Sequence, residues 1–144
     1  MKASGKNVSN RKKREKDNVS EKTRDIASDL SRLGSFDEIL EYLITYVTQT
    51  LEAERGSLFL HDPAAHQLYT RVALGNLSRE IRIDEQSGIA GWVFMNAKAT
   101  IVNTPYKDER FNKEVDERTG YQTKSIICVP IFSAGDIPIG VLQV

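Results

Sequence analysis

Cysteine, charge of one sign and long apolar runs are all scarce in this sequence. Cys128 is the only cysteine among 144 residues, so neither an internal disulfide nor an all-thiolate metal site can form. No run approaches the ~18 apolar residues of a membrane-spanning helix, and no apolar segment follows the N-terminal lysines, which excludes a secretory signal. The 20 basic and 20 acidic residues cancel, which is atypical of a nucleic-acid-binding protein. These absences predict a cytoplasmic protein with no membrane span and no nucleic acid partner.

Catalytic signatures are also missing. The sequence contains no GxSxG, P-loop, GxGxxG, HExxH or CxxC motif. The two histidines, His61 and His66, flank an expected hairpin turn, a pattern more typical of solvated histidines than of metal ligands. Cys128 lies in an apolar run with no basic residue closer than Lys124, which favours a buried, inert thiol. We therefore expect neither catalytic residues nor a metal site in this segment.

Charge is distributed unevenly along the chain. Residues 1–25 hold nine Lys or Arg against four Asp or Glu, and no aromatic residue. This composition predicts a basic flexible linker over residues 1–20. A connecting helix is expected over residues 21–34, where Ile26, Leu30 and Leu33 recur at helical spacing. Such a narrow stripe seldom folds alone and more often lies against a partner helix or against the domain that follows. We expect it to form the contact of a parallel homodimer.

The strongest helix signal lies between residues 36 and 52. Ser35 and Glu38 form a capping box, in which the side chain of each accepts the backbone N–H of the other. Apolar residues then follow at the spacing of one helix face: Phe36, Ile39, Leu40, Leu43, Ile44, Val47 and Leu51. This helix is expected to cover one side of a core.

Short strand patterns follow this helix. They are expected at residues 57–61, 67–74, 80–83, 100–103, 125–131 and 137–144, with a helix entered at Gly88 and an irregular segment over 104–122. Pro130 indicates an edge strand or a strand end. The order predicts an α+β fold with a mostly antiparallel sheet. Because the final strand stays apolar to Val144, we expect the C-terminal part of the domain, including a covering helix, to be truncated.

Five segments in order resemble the GAF domain family. Residues 54–62 are similar to its first strand and turn, 87–93 to its "GxGIAGxV" helix entry, and 103 with 108–112 to its "N…DxRFN" loop. Residues 116–126 are similar to "DxxTGxxTxSIL", and 139–144 to the last central strand. The resemblance covers residues 35–144. It implies a GAF-like antiparallel central sheet with helices packed on it, incomplete at its C-terminus.

The segments most closely resemble the cyclic-nucleotide-binding GAF domains of phosphodiesterases and cyanobacterial adenylate cyclases. This resemblance implies that cAMP or cGMP is a buried regulatory ligand, with no covalent cofactor. Carried over by position, the ligand-binding residues would be Ser57, Ala73 and Leu74 at the purine, Ile89 and Ala90 at the cyclic phosphate, Asp116, Thr119 and Thr123 in a lid over 104–123, and Gln143 on the last strand. A helix start flanked by glycines suits this chemistry, because its free N–H groups attract a phosphate.

The sequence departs from that subfamily in two places. Its "NKxxxFxxxDE" signature, whose lysine pairs with an aspartate thought to hold the lid, would begin just after Val144. Leu74 stands where some cGMP-binding relatives have aspartate. An apolar floor with the Gln143 amide, which both donates and accepts hydrogen bonds, suits adenine at least as well as guanine. We therefore expect cAMP to be favoured over cGMP.

The resemblance implies a regulatory sensor that signals allosterically to an output domain, with a parent protein such as an adenylate cyclase, a phosphodiesterase or another signalling enzyme. One alternative is a ligand-free GAF module for dimerisation and signal relay. Another is a GAF sensor of a different ligand, such as a haem, a bilin or a small metabolite. The cavity discriminates among them, because a binder needs polar groups converging on open space. A vestigial pocket would instead be filled by side chains such as Phe94 or Tyr121.

Overall fold

The chain divides into two compact units, and the boundary in the sequence falls within its second helix. The computed structural model describes the backbone of residues 4–74 and 80–144, and the side chains from Arg11 onward within these ranges. One unit ends at Ile39 and the other spans Leu40–Val144. Within the described ranges, no helix is both long enough and apolar enough to cross a membrane.

A long charged helix, α1 (Ser4–Leu30), makes up most of the first unit. The structure thus differs from the expected flexible linker over 1–20, which is helical from Ser4, while residues 1–3 lie outside the described residues. The segment lacks proline and is rich in lysine and arginine, which favour helix, and Arg11 pairs with Glu15 one turn later at 3.3 Å. The helix ends at Leu30, so Leu33 lies beyond it.

The second helix, α2 (Phe36–Thr50), begins at the predicted capping box. The backbone N–H of Glu38 donates to Ser35 Oγ at 3.2 Å, and the backbone N–H of Ser35 donates to Glu38 Oε2 at 3.3 Å. The helix ends two residues before the expected position 52. Its residues in the second unit bury one face, formed by Leu40, Ile44 and Thr48.

Among its described residues, the second unit also contains six strands and two further α-helices. The strands are β1 (Gly56–Asp62), β2 (Gln67–Leu74), β3 (Arg82–Asp84), β4 (Thr100–Val102), β5 (Ile126–Phe132) and β6 (Pro138–Gln143). The helices are α3 (Gly88–Asn96) and α4 (Glu114–Thr119), with a short 3₁₀ turn at Pro105–Lys107. The strands form one sheet in the order β3-β2-β1-β6-β5-β4, in which every neighbouring pair is antiparallel. The expected α+β antiparallel fold is confirmed.

The main core lies between α3 and one face of the sheet. Helix α3 contacts β5 and β6. The buried apolar side chains of this core are Phe59, Leu68, Ile89, Ala90, Val93, Phe94, Val102, Ile126, Cys128 and Val141. Cys128 is fully buried, as expected, and burial raises the pKa of its thiol to about 12. The thiol therefore stays protonated and unreactive at neutral pH.

Pro130 occupies a position where the sheet has no partner for its nitrogen. Strand β5 lies inside the sheet, but β4 pairs only with residues 126–128. Ile127 exchanges both backbone hydrogen bonds with Val144, at 2.8 and 2.9 Å, so its N–H points away from β4. Because the N–H groups of successive strand residues point to opposite sides, the nitrogen of Pro130, three residues later, points towards the β4 side. Because β4 has ended there, the missing N–H breaks no ladder bond. The structure thus differs from the expected edge strand or strand end, because Pro130 lies inside β5, at a position where one side of the strand has no partner.

The two histidines share one carboxylate, which differs from the expected solvated turn. His61 Nε2 lies 2.7 Å from Glu85 Oε2, and His66 Nδ1 lies 3.1 Å from Glu85 Oε1. The His61 ring also packs 4.4 Å from that of Phe94, leaving its side chain 20% exposed. The chain returns here because Glu85, in the turn before α3, donates its backbone N–H to the carbonyl of His66. Among the described residues no group of three side chains could hold a metal ion.

Candidate functional site

A cavity of about 330 Å³ lies in the second unit. Its walls are the loop before β1, the starts of β1 and α3, Ile83 of β3 with Ile81 just before it, the lid residues 111–116, the segment 121–127 and the end of β6. A volume of this size falls in the range of small-molecule sites, ~300–1,000 Å³. The walls come from segments far apart in the sequence.

Two polar side chains stand next to each other on the sheet wall of the cavity. Ser57 of β1 is directly opposite Gln143 of β6 in the antiparallel register, and both line the cavity. The side chains around them on the wall are apolar, including Phe59 and Ile126. Neither polar side chain has a hydrogen-bond partner among the described residues. The wall therefore offers a hydroxyl and an amide with unused donors and acceptors on an apolar surface.

The start of α3 presents uncapped backbone N–H groups to the cavity. Ser87 occupies the N-cap position but makes no side-chain cap bond, and its hydroxyl instead accepts Asn112 Nδ2 at 3.2 Å. The first intrahelical bond runs from the N–H of Gly91 to the carbonyl of Ser87 at 3.0 Å. Gly88, Ile89 and Ala90 line the cavity, so the first turn of α3 offers it free donors and the positive end of the helix dipole.

Asp116 is the buried carboxylate of the lid. It is 6% exposed and accepts three hydrogen bonds. Oδ2 takes the Tyr106 hydroxyl and the backbone N–H of Thr123, both at 2.7 Å, and Oδ1 takes the Thr123 hydroxyl at 2.7 Å. The bond to Asp116 raises the pKa of Tyr106. These contacts hold both ends of the lid to one group on α4.

The N-terminal half of the lid is anchored on α3. Asp108 and Arg110 form a bidentate ion pair, with N···O distances of 2.9 and 2.6 Å. The Arg110 guanidinium also lies 4.5 Å from the ring centroid of Trp92. Hydrogen bonds from Arg110 lower the pKa of Asp108 to about 2. Asn112 adds its bond to Ser87 at the start of α3. This half of the lid is therefore tied to the helix whose N-terminus faces the cavity.

Four residues at the edge of the cavity, named here the rim cluster, are Glu54, Arg55, Tyr121 and Lys124. The Tyr121 hydroxyl donates to Glu54 Oε2 at 2.8 Å, and Lys124 Nζ donates to Glu54 Oε1 at 3.4 Å. The guanidinium of Arg55 lies 3.8 Å from the ring centroid of Tyr121. The bond from Tyr121, followed by that from Lys124, lowers the pKa of Glu54, while burial and then the Glu54 bond raise the pKa of Tyr121.

Six of the nine residues assigned to the ligand from the sequence line this cavity. They are Ser57, Ile89, Ala90, Asp116, Thr123 and Gln143. Their contact with a ligand stays a prediction.

The other three, Ala73, Leu74 and Thr119, do not line the cavity among the described residues. Thr119 is exposed on α4, and its hydroxyl donates to the carbonyl of Val115 at 2.9 Å. Ala73 and Leu74, in β2, pair with Ser57 and Gly56 of β1. On the β2 side of β1, however, the cavity wall is formed by Ile81 and Ile83.

Sequence reasoning missed a second set of lining residues. Phe111, Val115 and Tyr121 were recognisable as the apolar anchors of an otherwise polar segment, and all three line the cavity. Nothing in the local pattern marked Glu54 and Lys124, which lie 70 positions apart and meet only in the fold.

Comparison with known proteins identifies the same family along the second unit and α2. The family described as GAF domain matches residues 35–144. Among solved structures, the GAF domain of a phosphoenolpyruvate-protein phosphotransferase from Coxiella burnetii superimposes with a TM-score of 0.75 at 17% identity, covering 83% of this chain and 72% of that one. At that identity the likeness shows the fold alone.

Curated relatives are phosphodiesterases. A probable 3',5'-cyclic phosphodiesterase, pde-5, of Caenorhabditis elegans is 38% identical over 121 residues, covering 76% of this chain and 16% of the relative. A cGMP-specific 3',5'-cyclic phosphodiesterase of Drosophila pseudoobscura pseudoobscura is 35% identical, covering 84% of this chain and 12% of the relative. The dual 3',5'-cyclic-AMP and -GMP phosphodiesterase 11 of Drosophila melanogaster is 33% identical, covering 90% of this chain and 10% of the relative. The chain thus spans less than a fifth of each relative.

Proposed function

Because the chain belongs to the GAF domain family, we propose that it is a sensor whose cavity binds a cyclic nucleotide and signals to an output domain of its parent protein. The GAF domain is regulatory and not catalytic. Relatives named as cyclic nucleotide phosphodiesterases support a parent of that class. A cytoplasmic location stays a prediction.

The uncapped start of α3 is the observation that carries this proposal. A cyclic phosphate is a monoanion that needs several donors but no buried cation. Gly88, Ile89 and Ala90 offer backbone N–H groups at the positive end of a helix, beside the cavity. Gly88 adopts a φ of +72°, which favours glycine and leaves no side chain between the backbone and a ligand.

The paired side chains of Ser57 and Gln143 supply the proposed base contacts. The Watson–Crick edge of adenine presents one donor and one acceptor. The Gln143 amide can bond to both, because its carbonyl accepts and its NH₂ group donates. Guanine presents an acceptor, O6, and a donor, N1–H, at the corresponding positions, and its 2-amino group adds a second donor that the single Gln143 amide cannot also satisfy. We therefore propose that cAMP binds in preference to cGMP. Leu74, the other residue behind this expectation, does not line the cavity, so the preference now depends on Gln143.

The open cavity favours a binder over a ligand-free relay module. Phe94 packs against His61 and is not among the lining residues, and Tyr121 lies in the rim cluster with its hydroxyl bonded to Glu54. The groups that a haem or a bilin would need are elsewhere as well. Cys128, His61 and His66 do not line the cavity within the described ranges.

Isothermal titration of cAMP and of cGMP into the chain tests the proposal. We expect one nucleotide to bind with a dissociation constant of micromolar order or tighter. Ser57→Ala should raise the dissociation constant by roughly three- to thirtyfold, which is the effect of losing about one or two hydrogen bonds. Thr119→Ala is the matched control, because its hydroxyl bonds within α4 and Thr119 does not line the cavity. Absence of heat with both nucleotides, from a folded sample, would refute the nucleotide site.

We also propose that α1 joins two copies of the chain in parallel. Val19 and Ile26 lie seven residues apart on α1, and Leu30 follows Ile26 after four, which is the spacing of a coiled-coil seam. Val19 is 65% exposed, so this seam offers an apolar surface. Ile26→Glu should convert a dimer into a monomer in sedimentation equilibrium, whereas Arg24→Glu, an exposed change on the opposite face of α1, should not. A monomeric unmodified chain at all concentrations would contradict this.

A further inference from the structure

The mouth of the cavity lies between two short segments of the second unit. Most lining residues are buried or half-buried, and the exposed ones fall into two groups. The groups are residues 51–54, in the loop before β1, and residues 124–125, just before β5. A residue that both lines the cavity and reaches solvent marks an opening. Among the described residues, the opening is therefore between these two segments.

The rim cluster spans this opening. Glu54 stands on one side, and its carboxylate is bonded to Tyr121 and Lys124 on the other side, at 2.8 and 3.4 Å. Arg55, from the first side, covers the ring of Tyr121. Tyr121 also directly follows Gly120, whose φ of +67° turns the chain at the end of α4. Two cations, an anion and a ring are thus held across the mouth by contacts with one another.

We propose that the rim cluster is a gate that sets the rate of ligand exchange without setting ligand affinity. The proposal rests on the cyclic nucleotide function of the cavity. The hydrogen bonds and the ring contact of the cluster join its own members at the edge of the cavity, and the proposal requires that they stay the same when a ligand engages the deeper wall at Ser57 and Gln143. Breaking one contact then raises the fraction of open mouths equally in the ligand-free and in the ligand-bound protein. A change that is common to both cancels in the dissociation constant.

Tyr121→Phe is the most informative variant. It removes the hydrogen bond to Glu54 and leaves the ring for Arg55 to cover. Because the Glu54 side chain is 61% exposed and its charge is screened by solvent, loss of this hydrogen bond should raise the association and dissociation rates together by roughly three- to tenfold, with the dissociation constant changed less than about twofold. Glu54→Gln, which weakens the contacts to both partners, should act in the same direction. Stopped-flow mixing and chase experiments with the bound nucleotide measure both rates.

Two control variants match these changes outside the cavity. Tyr69→Phe removes a hydroxyl from a ring that also lies against an arginine, Arg82, at 5.1 Å. Glu80→Gln removes the charge from a glutamate that also pairs with Arg82, at 2.6 Å. Both should leave the two rates unchanged. Thermal melts of all four variants identify any loss of folded protein.

Hydrogen exchange in the absence of nucleotide separates the gate from the binding function. Amides of residues 120–125 should exchange faster in Tyr121→Phe than in Tyr69→Phe. Unchanged exchange would overturn the gate, and so would an increase in the dissociation rate alone, because that marks direct contact with the ligand. If the unmodified chain binds neither nucleotide, the proposed function fails, and hydrogen exchange alone decides whether the cluster holds the mouth closed.

Discussion

Asp116 accepts two hydrogen bonds from Thr123, one on each oxygen of its carboxylate. Oδ2 binds the backbone N–H and Oδ1 binds the hydroxyl, both at 2.7 Å. The two residues flank the turn at Gly120, so the carboxylate closes the loop that leads from α4 towards β5. Tyr106 adds a third bond from the start of the lid. The lid is therefore organised around a buried anion whose donors are all neutral.

Asp116→Asn should destabilise the lid and weaken nucleotide binding. The amide NH₂ replaces one acceptor with a donor, which leaves the N–H or hydroxyl groups now facing it unsatisfied. Because Asp116 is buried, we expect the free energy of unfolding to fall by about 1–3 kcal/mol. Urea unfolding measures this change. Glu117→Gln, an exposed change on the same helix, should have little effect, and an equal loss in both variants would argue against the role of Asp116 as the organising group.

Gln143→Glu should shift the base preference towards guanine. A carboxylate accepts hydrogen bonds but cannot donate to N1 of adenine, whereas guanine presents two donors to it. We expect the ratio of cGMP to cAMP affinity to rise by roughly tenfold, as measured by titration of both nucleotides. Gln122→Glu is the control, because Gln122 is exposed and does not line the cavity. An unchanged ratio would place the base away from Gln143.

Gly91→Ala should distort the turn that leads into α3. A Cβ at position 91 would lie 2.6 Å from the carbonyl carbon of Gln86 and 2.9 Å from the carbonyl oxygen of Glu85. Both atoms belong to the backbone, so the turn must move, and we expect a loss of about 1–3 kcal/mol in unfolding free energy together with weaker binding. In Gly120→Ala, the added Cβ would have no atom within 4 Å, so the only cost is that of a positive φ in a residue with a side chain, about 1 kcal/mol. Chemical denaturation should rank the two variants in this order.

The ion pair of Asp108 with Arg110 should make stability depend on pH in acid. Folding lowers the pKa of Asp108 from 3.8 to about 2, so its contribution is present above pH ~4 and is lost as the pH falls towards 2. Asp108→Asn should reduce the unfolding free energy by about 1–2 kcal/mol at pH 6, and the difference should shrink from pH ~4 downwards and vanish only below pH ~2. Unfolding curves at several pH values measure it. Glu109→Gln, at the exposed neighbouring position, should show no such window.

Local signals in the sequence predicted most of the secondary structure. The capping box of Ser35 and Glu38 and the apolar spacing behind it predict α2 to within two residues at its end, because both depend only on residues one or two turns apart. The glycine turn at Gly88 predicts the start of α3 for the same reason. The basic segment differs, since its composition indicates a linker while its residues individually favour helix.

The cavity was only partly predictable from the sequence. Segments similar to the GAF family placed Ser57, Asp116, Thr123 and Gln143 on one wall or another, and the structure brings all four to the same cavity. Thr119 fits the same motif, but the short helix α4 turns its hydroxyl back to Val115. A motif specifies which residues occur and in which order, and the direction of each side chain depends on the local helix geometry.

The sequence by itself determined where the helices and strands form and that the chain has a GAF fold, because capping, periodicity and motif order are written in neighbouring residues. The tertiary structure alone decided which strands share an edge. Inserting β6 between β1 and β5 sets Ser57 beside Gln143 and brings Glu54 to Lys124 across the mouth. Those contacts join residues 70 or more positions apart, and they follow from the pairing of whole strands rather than from any local pattern.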